Sequence, residues 1–134
     1  MKLITKDTDY AVRAVVCMAG SRKKVVAVKE LAEELDISKP FLRKVLQLLN
    51  KKGLLRSYKG KNGGFALKVD PGKITIFNLI KIFQGEFRLK EHNFKGKICS
   101  SYKTCYFRKR MDKIEGYVVK ELKAITIRAL VREK

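Results

Sequence analysis

The sequence has no tryptophan, a single histidine (His92), two prolines and three cysteines in 134 residues. With one imidazole, neither a Ser–His–acid grouping nor a His-rich zinc constellation can be assembled within the chain, which argues against an enzyme. Three cysteines, an odd number, without an apolar signal-peptide core at the N-terminus point to reduced thiols in a cytoplasm rather than to a disulfide framework. No apolar run approaches the roughly 20 residues that cross a bilayer, so no membrane partner is expected. Negative charge is scarcest of all: 13 Asp and Glu stand against 32 Lys and Arg, a formal net charge of +19. That balance calls for an anionic partner. Apolar side chains make up 46% of the chain, enough for the core of one domain, or of one small domain with an oligomerisation appendage.

The positive charge has a focus. Positions 37–69 hold nine Lys or Arg and no Asp or Glu. Just before them, Val28, Leu31, Ala32 and Leu35 recur at i, i+3, i+4 and i+7, one face of a short helix with Lys29, Glu30, Glu33 and Glu34 turned outward. Asp36-Ile37-Ser38 breaks the pattern. Ser38 suits the N-cap of a second helix and Pro40 its first turn, where a missing N–H costs nothing. Phe41, Leu42, Val45, Leu46, Leu48 and Leu49 form the inner side of that helix. Lys39, Arg43, Lys44 and Gln47 form its outer side, with Asn50, Lys51 and Lys52 near its end and Gly53 as the stop. Two helices across so short a turn make a helix–turn–helix, whose second helix enters the major groove of DNA. A hairpin follows: a strand Leu55–Tyr58, the turn Lys59-Gly60-Lys61-Asn62-Gly63-Gly64, and a return over residues 65–69. Its tip is cationic and nearly without bulk, suited to a phosphate or a narrow minor groove.

Around this centre the elements are simple. Thr5 is a plausible cap for a helix patterned by Tyr10, Ala11, Ala14, Val15, Met18 and Ala19 and ending at Gly20, with Cys17 a small buried hydrophobe inside it. The segment Val25-Val26-Ala27 could lie beside the hairpin as a short strand. After the turn Asp70-Pro71-Gly72-Lys73, Thr75 caps a helix with Ile76, Leu79, Ile80 and Phe83 on one face, stopping near Gly85. Residues 86–104 lose periodicity and read as a loop of functional length. They hold His92 and Cys99, and Cys105 follows them directly. A helix over residues 105–124 then carries a seam of Phe107, Met111, Ile114, Val118, Leu122 or Glu121, and Ile125, spaced as in a paired helix. Thr126 starts a short final helix through Val131. The expected architecture is mainly α with a small β-hairpin wing and a long C-terminal dimerisation helix. It divides into a winged helix–turn–helix over residues 1–85, a sensor loop over 86–104, and a dimerisation helix and tail over 105–134.

This order of motifs resembles the Rrf-type winged-helix transcription regulators, the family of IscR, NsrR and CymR. The resemblance rests on Thr5-Lys6-Asp7-Thr8-Asp9-Tyr10-Ala11, on Ile37-Ser38-Lys39-Pro40-Phe41-Leu42, and on Lys52-Gly53-Leu54-Leu55-Arg56-Ser57-Tyr58-Lys59-Gly60 with Gly63-Gly64-Phe65. The spacing of Cys99 and Cys105 and the segment Ile125-Thr126-Ile127 extend it over essentially the whole chain. It implies a cytoplasmic homodimer, a repressor binding double-stranded DNA at a palindromic operator. Ser38, Lys39, Phe41, Arg43, Lys44, Gln47 and Lys51 on the second helix, and Arg56, Tyr58, Lys59, Lys61, Asn62, Gly63 and Gly64 on the wing, make up the expected DNA-contacting set.

The resemblance also implies a sensor. Cluster-binding members use three cysteines in the late loop and a fourth ligand elsewhere. Cys99 and Cys105 match the second and third. The place of the first falls at His92 or Asn93, Arg108 stands where one subgroup has a ligating His, and Asp9 matches an Asp that another subgroup supplies from the partner subunit. Two thiolates, an imidazole and a carboxylate can hold a [2Fe–2S] centre, a [4Fe–4S] centre being the other form. Three alternatives stay open: a reversible Cys99–Cys105 disulfide, a small-molecule sensor without a cluster, and a basic RNA- or ribosome-associated winged helix. The last lacks the exposed aromatic platforms that single-strand binding uses.

Overall fold

The computed structural model describes residues 2–89, 93–94, 97–98 and 104–132. Helix α1 (Lys6–Gly20) opens at Thr5, whose hydroxyl oxygen accepts from the Thr8 N–H at 3.4 Å, with Asp7 and Asp9 in the first turn, where a helix favours negative charge. It buries Thr8, Ala11, Ala14, Val15 and Met18, the stripe that faces the core. Helix α2 (Val28–Leu35) ends at Asp36, which takes the left-handed conformation (φ 54°) and donates its N–H to the Ala32 and Glu33 carbonyls. Short polar residues tolerate this region best, so the turn reverses within three residues. Helix α3 (Lys39–Lys51) begins at Ser38, whose hydroxyl caps the Phe41 N–H, and buries Leu42, Val45, Leu46 and Leu49.

Strands β1 (Leu55–Tyr58) and β2 (Gly64–Leu67) form the antiparallel wing, Leu55 facing Leu67 and Tyr58 facing Gly64. The return strand thus begins one residue before the expected position and stops at Leu67. Val26 joins as a third member by one bridge: its N–H donates to the Phe65 carbonyl at 2.8 Å, and the Phe65 N–H donates back at 3.0 Å. Helix α4 (Ile76–Gln84) carries a full capping box between Thr75 and Asn78. Within the expected late loop, β3 (Asn93–Phe94) pairs antiparallel with β4 (Lys97–Ile98). Helix α5 (Tyr106–Ala124) and helix α6 (Ile127–Arg132) follow.

Between α5 and α6 the chain returns to the winged unit. The Ile76 N–H donates to the Ile125 carbonyl at 3.0 Å, and the Ile127 N–H to the Ile74 carbonyl at 2.9 Å. Helix α6 then packs along α1, and Ile127 and Leu122 sit in one hydrophobic cluster with Leu42, Leu46, Leu79 and Ile80. A second long-range tie runs through Gln84. Its Oε1 accepts from the Thr8 hydroxyl (2.7 Å) and the Thr5 N–H (2.9 Å), and its Nε2 donates to the Leu3 carbonyl (3.2 Å). That satisfies the fully buried Thr8 hydroxyl and fixes the start of α1 against the end of α4.

The seam expected on α5 divides between two faces. Leu122 is buried, Val118 is half-buried against the chain's own core, and Met111 is half-buried. Tyr106, Phe107, Ile114 and Tyr117 are 81, 60, 49 and 61% exposed, an apolar stripe on the adjoining face of the helix. A spacing of about three and a half residues describes both faces, and only packing against α4 separates them.

Candidate nucleic-acid interface

Between α3 and the wing lies an open cleft of about 440 Å³. Arg43, Gln47 and Asn50 from α3 line one wall, Ser57, Tyr58, Lys59 and the Gly60, Gly63 and Gly64 backbone the other, and Lys29 of α2 closes an end. No Asp or Glu lines it. Every polar side chain on the α3 wall is one that can reach a base edge: Arg pairs with guanine, Gln or Asn with adenine. Lys39, Lys44 and Lys51 are exposed on the same helix outside the cleft, and Lys61 and Asn62 are exposed at the wing tip.

The wing owes its shape to two glycines. A Cβ on Gly63 would stand 2.3 Å from the Tyr58 carbonyl oxygen, and one on Gly64 2.2 Å from that of Val26. Neither position accommodates a side chain without moving backbone, so the hairpin stays thin where it would enter a groove.

Phe41 is placed differently from the other expected contacts. It is half-buried, its ring meeting Tyr10 of α1 edge-on at 5.4 Å between centroids. Ser38 is occupied as a cap, although its hydroxyl proton stays available to an acceptor. Lys6 lies 5.9 Å from the centroids of both rings, which brings a cation from α1 to the N-terminal end of the reading helix. Lys6, Lys29 and Asn50 are absent from the expected set. Asn50 and Lys29 had the right spacing or exposure to be found, whereas Lys6 reaches this surface only through tertiary packing.

Of the expected sensor residues, His92 and Cys99 lie outside the described residues. Cys105 is half-exposed at the N-cap of α5, its sulfur accepting the Arg108 N–H at 3.4 Å, and Arg108 in turn pairs with Asp112 at 3.0 Å. Asp9 lies in the first turn of α1 and accepts from Arg13 Nε at 3.1 Å. Among the described residues, no group of three or more His, Cys, Asp or Glu is placed to hold a metal. The segment entering the late loop is anchored to α5. Glu115 accepts the Leu89 N–H at 2.8 Å and pairs with Arg88, which also pairs with Glu86. Among the described residues no helix is long and apolar enough to cross a membrane.

Comparison with known proteins agrees with this geometry. Residues 4–133 match the Rrf2 family model, described as iron-dependent transcriptional regulators. The chain is 36% identical over 110 residues to the transcriptional regulator NsrR of Bacillus licheniformis, 74% of each chain being covered. It is 31% identical over 133 residues to NsrR of Oceanobacillus iheyensis, covering 98% of this chain and 90% of that one. Its fold is similar to that of CymR, the global cysteine regulator of B. subtilis, with a TM-score of 0.80 at 21% identity over 100% of this chain and 99% of that one.

Proposed function

The chain belongs to the Rrf2 family of winged-helix transcriptional regulators, and on that premise we propose that it is a homodimeric repressor whose grip on a palindromic operator is set by an iron–sulfur cluster or by cysteine oxidation. As a member of that family it is a DNA-binding regulator and not an enzyme.

The observation that carries the reading is the acid-free cleft between α3 and the wing. Helix α3 lies in the major groove, with Arg43 and Gln47 on base edges and Lys39, Lys44 and Lys51 on flanking phosphates. The wing, with Arg56, Tyr58, Lys59, Lys61, Asn62 and its two close-packed glycines, reaches the adjacent minor groove. The exposed apolar side chains of Tyr106, Ile114 and Tyr117 on α5 support a second copy of the chain as their cover. Doubling a reader matches a palindromic site. In this division of labour residues 1–85 read DNA, 86–104 sense, and 105–134 pair the subunits.

For the sensor, the described residues fit a cluster as far as they go. The Cys105 sulfur sits at the positive end of a 19-residue helix, a setting that suits an anionic thiolate–iron group, and the Asp9 carboxylate, paired with Arg13, is 49% exposed, as a ligand donated to a partner must be accessible. His92 and Cys99 would complete the set. A bound cluster would supply a redox- or iron-dependent charge in the late loop.

The test is selection of duplexes from a random pool, followed by binding with Arg43→Ala. A lost bidentate contact should flatten discrimination by about 1–3 kcal/mol at one position of each half-site. Unchanged sequence preference would refute the assignment of α3. Anaerobic purification with iron and sulfide analysis, beside Cys105→Ala, separates the cluster from the thiol alternative: charge-transfer bands lost in the variant support the cluster, and a colourless protein refutes it.

A further inference from the structure

The wing has a second face, and it is as basic as the first. Side chains alternate along a strand, and cross-strand partners share a side. Leu55, Ser57 and Phe65 therefore belong to the face toward the core and the cleft. Arg56 and Ala66, directly opposite each other, belong to the other, and Tyr58 and Leu67 at the ends of the two strands border it. On this outer face a concavity of about 190 Å³ is lined by Lys24, Arg56, Tyr58, Ala66, Leu67 and Lys68. The three cations come from three separate segments. Lys24 arrives from the loop between α1 and α2, held in place by the pairing of Val26 with Phe65. All three are exposed, and none pairs with a carboxylate among the described residues. Elsewhere on the surface cations do find partners: Lys23, beside Lys24, bonds Glu30 at 2.7 Å.

We infer that Lys24, Arg56 and Lys68 form a second phosphate seat, which holds the DNA strand on the far side of the groove that the wing enters. The inference rests on the DNA reading above. A hairpin inserted into a groove meets two walls, and both walls are sugar–phosphate backbone. The inner face, with Lys59 and the α3 cleft, takes the strand shared with the major groove. The outer face takes the opposite strand. Three cations without a carboxylate partner among the described residues, lining one concavity with Tyr58, suit a phosphate's several acceptor oxygens. The contact carries no base information. It extends the footprint beyond the bases that α3 reads and seats the wing from both sides.

The experiment uses the full chain and a duplex it selects from a random pool. Binding is measured against salt for the unmodified protein, for the Lys24→Ala/Arg56→Ala/Lys68→Ala variant, and for Arg43→Ala. The triple variant should lose about 0.9 from the slope of log K against log salt for each phosphate contact removed per subunit, with its ranking of sequences unchanged. Trimming the duplex end beyond the wing should lower the slope for the unmodified protein and leave the triple variant unaffected. Because the three side chains are exposed, the thermal transition should stay in place, and the single reversal Arg56→Glu provides a milder variant with the same expected direction. A wild-type slope in the triple variant, beside lost discrimination in Arg43→Ala, would overturn the second seat and leave the DNA reading standing. Altered sequence preference in the triple variant would overturn it as a phosphate contact. Failure of the unmodified chain to retain any duplex would overturn both.

Discussion

Helix α5 has a buried and an exposed apolar side, and two substitutions five residues apart should separate them. Leu122 is 6% exposed and joins the cluster that holds α4 and α6, so Leu122→Ala removes buried methyl groups from a packed interior. Such truncations cost about 2–4 kcal/mol, the transfer of the lost atoms plus the cavity they leave. For a domain of this size that corresponds to a fall in melting temperature of roughly 8–16 °C. Tyr117, 61% exposed on the adjoining face, touches little of its own chain, so Tyr117→Ser should leave the intrinsic core intact. What it removes is apolar area available to a second copy. Thermal unfolding followed by circular dichroism at protein concentrations a hundredfold apart gives both readings at once. The unmodified chain should melt higher at the higher concentration, because association draws on the folded state. Leu122→Ala should melt lower at both concentrations, and Tyr117→Ser should lose the concentration dependence. If Leu122→Ala costs less than about 1 kcal/mol, or Tyr117→Ser lowers the melting point equally at both concentrations, the two-faced account of α5 is wrong.

Gly64→Ala should cost about 2–4 kcal/mol and weaken DNA binding, because a Cβ 2.2 Å from the Val26 carbonyl oxygen must break the two hydrogen bonds joining Val26 to Phe65. Amide exchange at Val26 and Phe65 reads this directly, and unchanged protection there would refute it. Gln84→Ala removes three hydrogen bonds at the start of α1 and should destabilise by about 2–3 kcal/mol in urea titration; the Thr8 hydroxyl keeps its 3.1 Å contact with Thr5, so the loss stops short of an orphaned buried group. Asp70 is held below the usual carboxylate range, first by the Gly72 N–H and then by Arg128. A depressed folded value means a stabilising contribution that is present above the unfolded ionisation near pH ~3.9 and is lost as pH falls through the lower folded value. By NMR titration Arg128→Ala should leave Asp70 still depressed, since the backbone N–H dominates; a return to the ordinary value would contradict that order of causes.

The elements legible in the sequence were those whose signals are local. Thr5, Ser38 and Thr75 cap the helices that their neighbours' periodicity outlines, and the Asn62-Gly63-Gly64 turn marks the wing. Arg43 and Gln47 could be placed on the outer side of α3, where they line the cleft, because the helix has one apolar face and they lie on the other. What was hidden depends on contacts far apart in the chain. Lys24 and Lys68 look like ordinary surface lysines until the Val26–Phe65 bridge brings them to one side of the wing. Gln84 carries no signal of its own role, because its partners, Leu3, Thr5 and Thr8, lie about 80 residues earlier. The α5 seam was visible as a period, but a period does not identify the surface on which each apolar residue is buried.

The return of the chain at Ile125–Ile127 has a consequence for the order in which this protein comes into being. On a ribosome the reading helix and wing emerge well before the residues that complete their support. A nascent chain exposed only through Ala124 has its DNA-facing elements in hand, yet it lacks Ile127 in the core, the α6 surface against α1, and both hydrogen bonds that clasp the segment at Ile74–Ile76. The bond between helix–turn–helix and α5 is therefore built into the folding order. A half-made regulator is an incompletely folded one, and the cleft between α3 and the wing matures only together with α5 and α6.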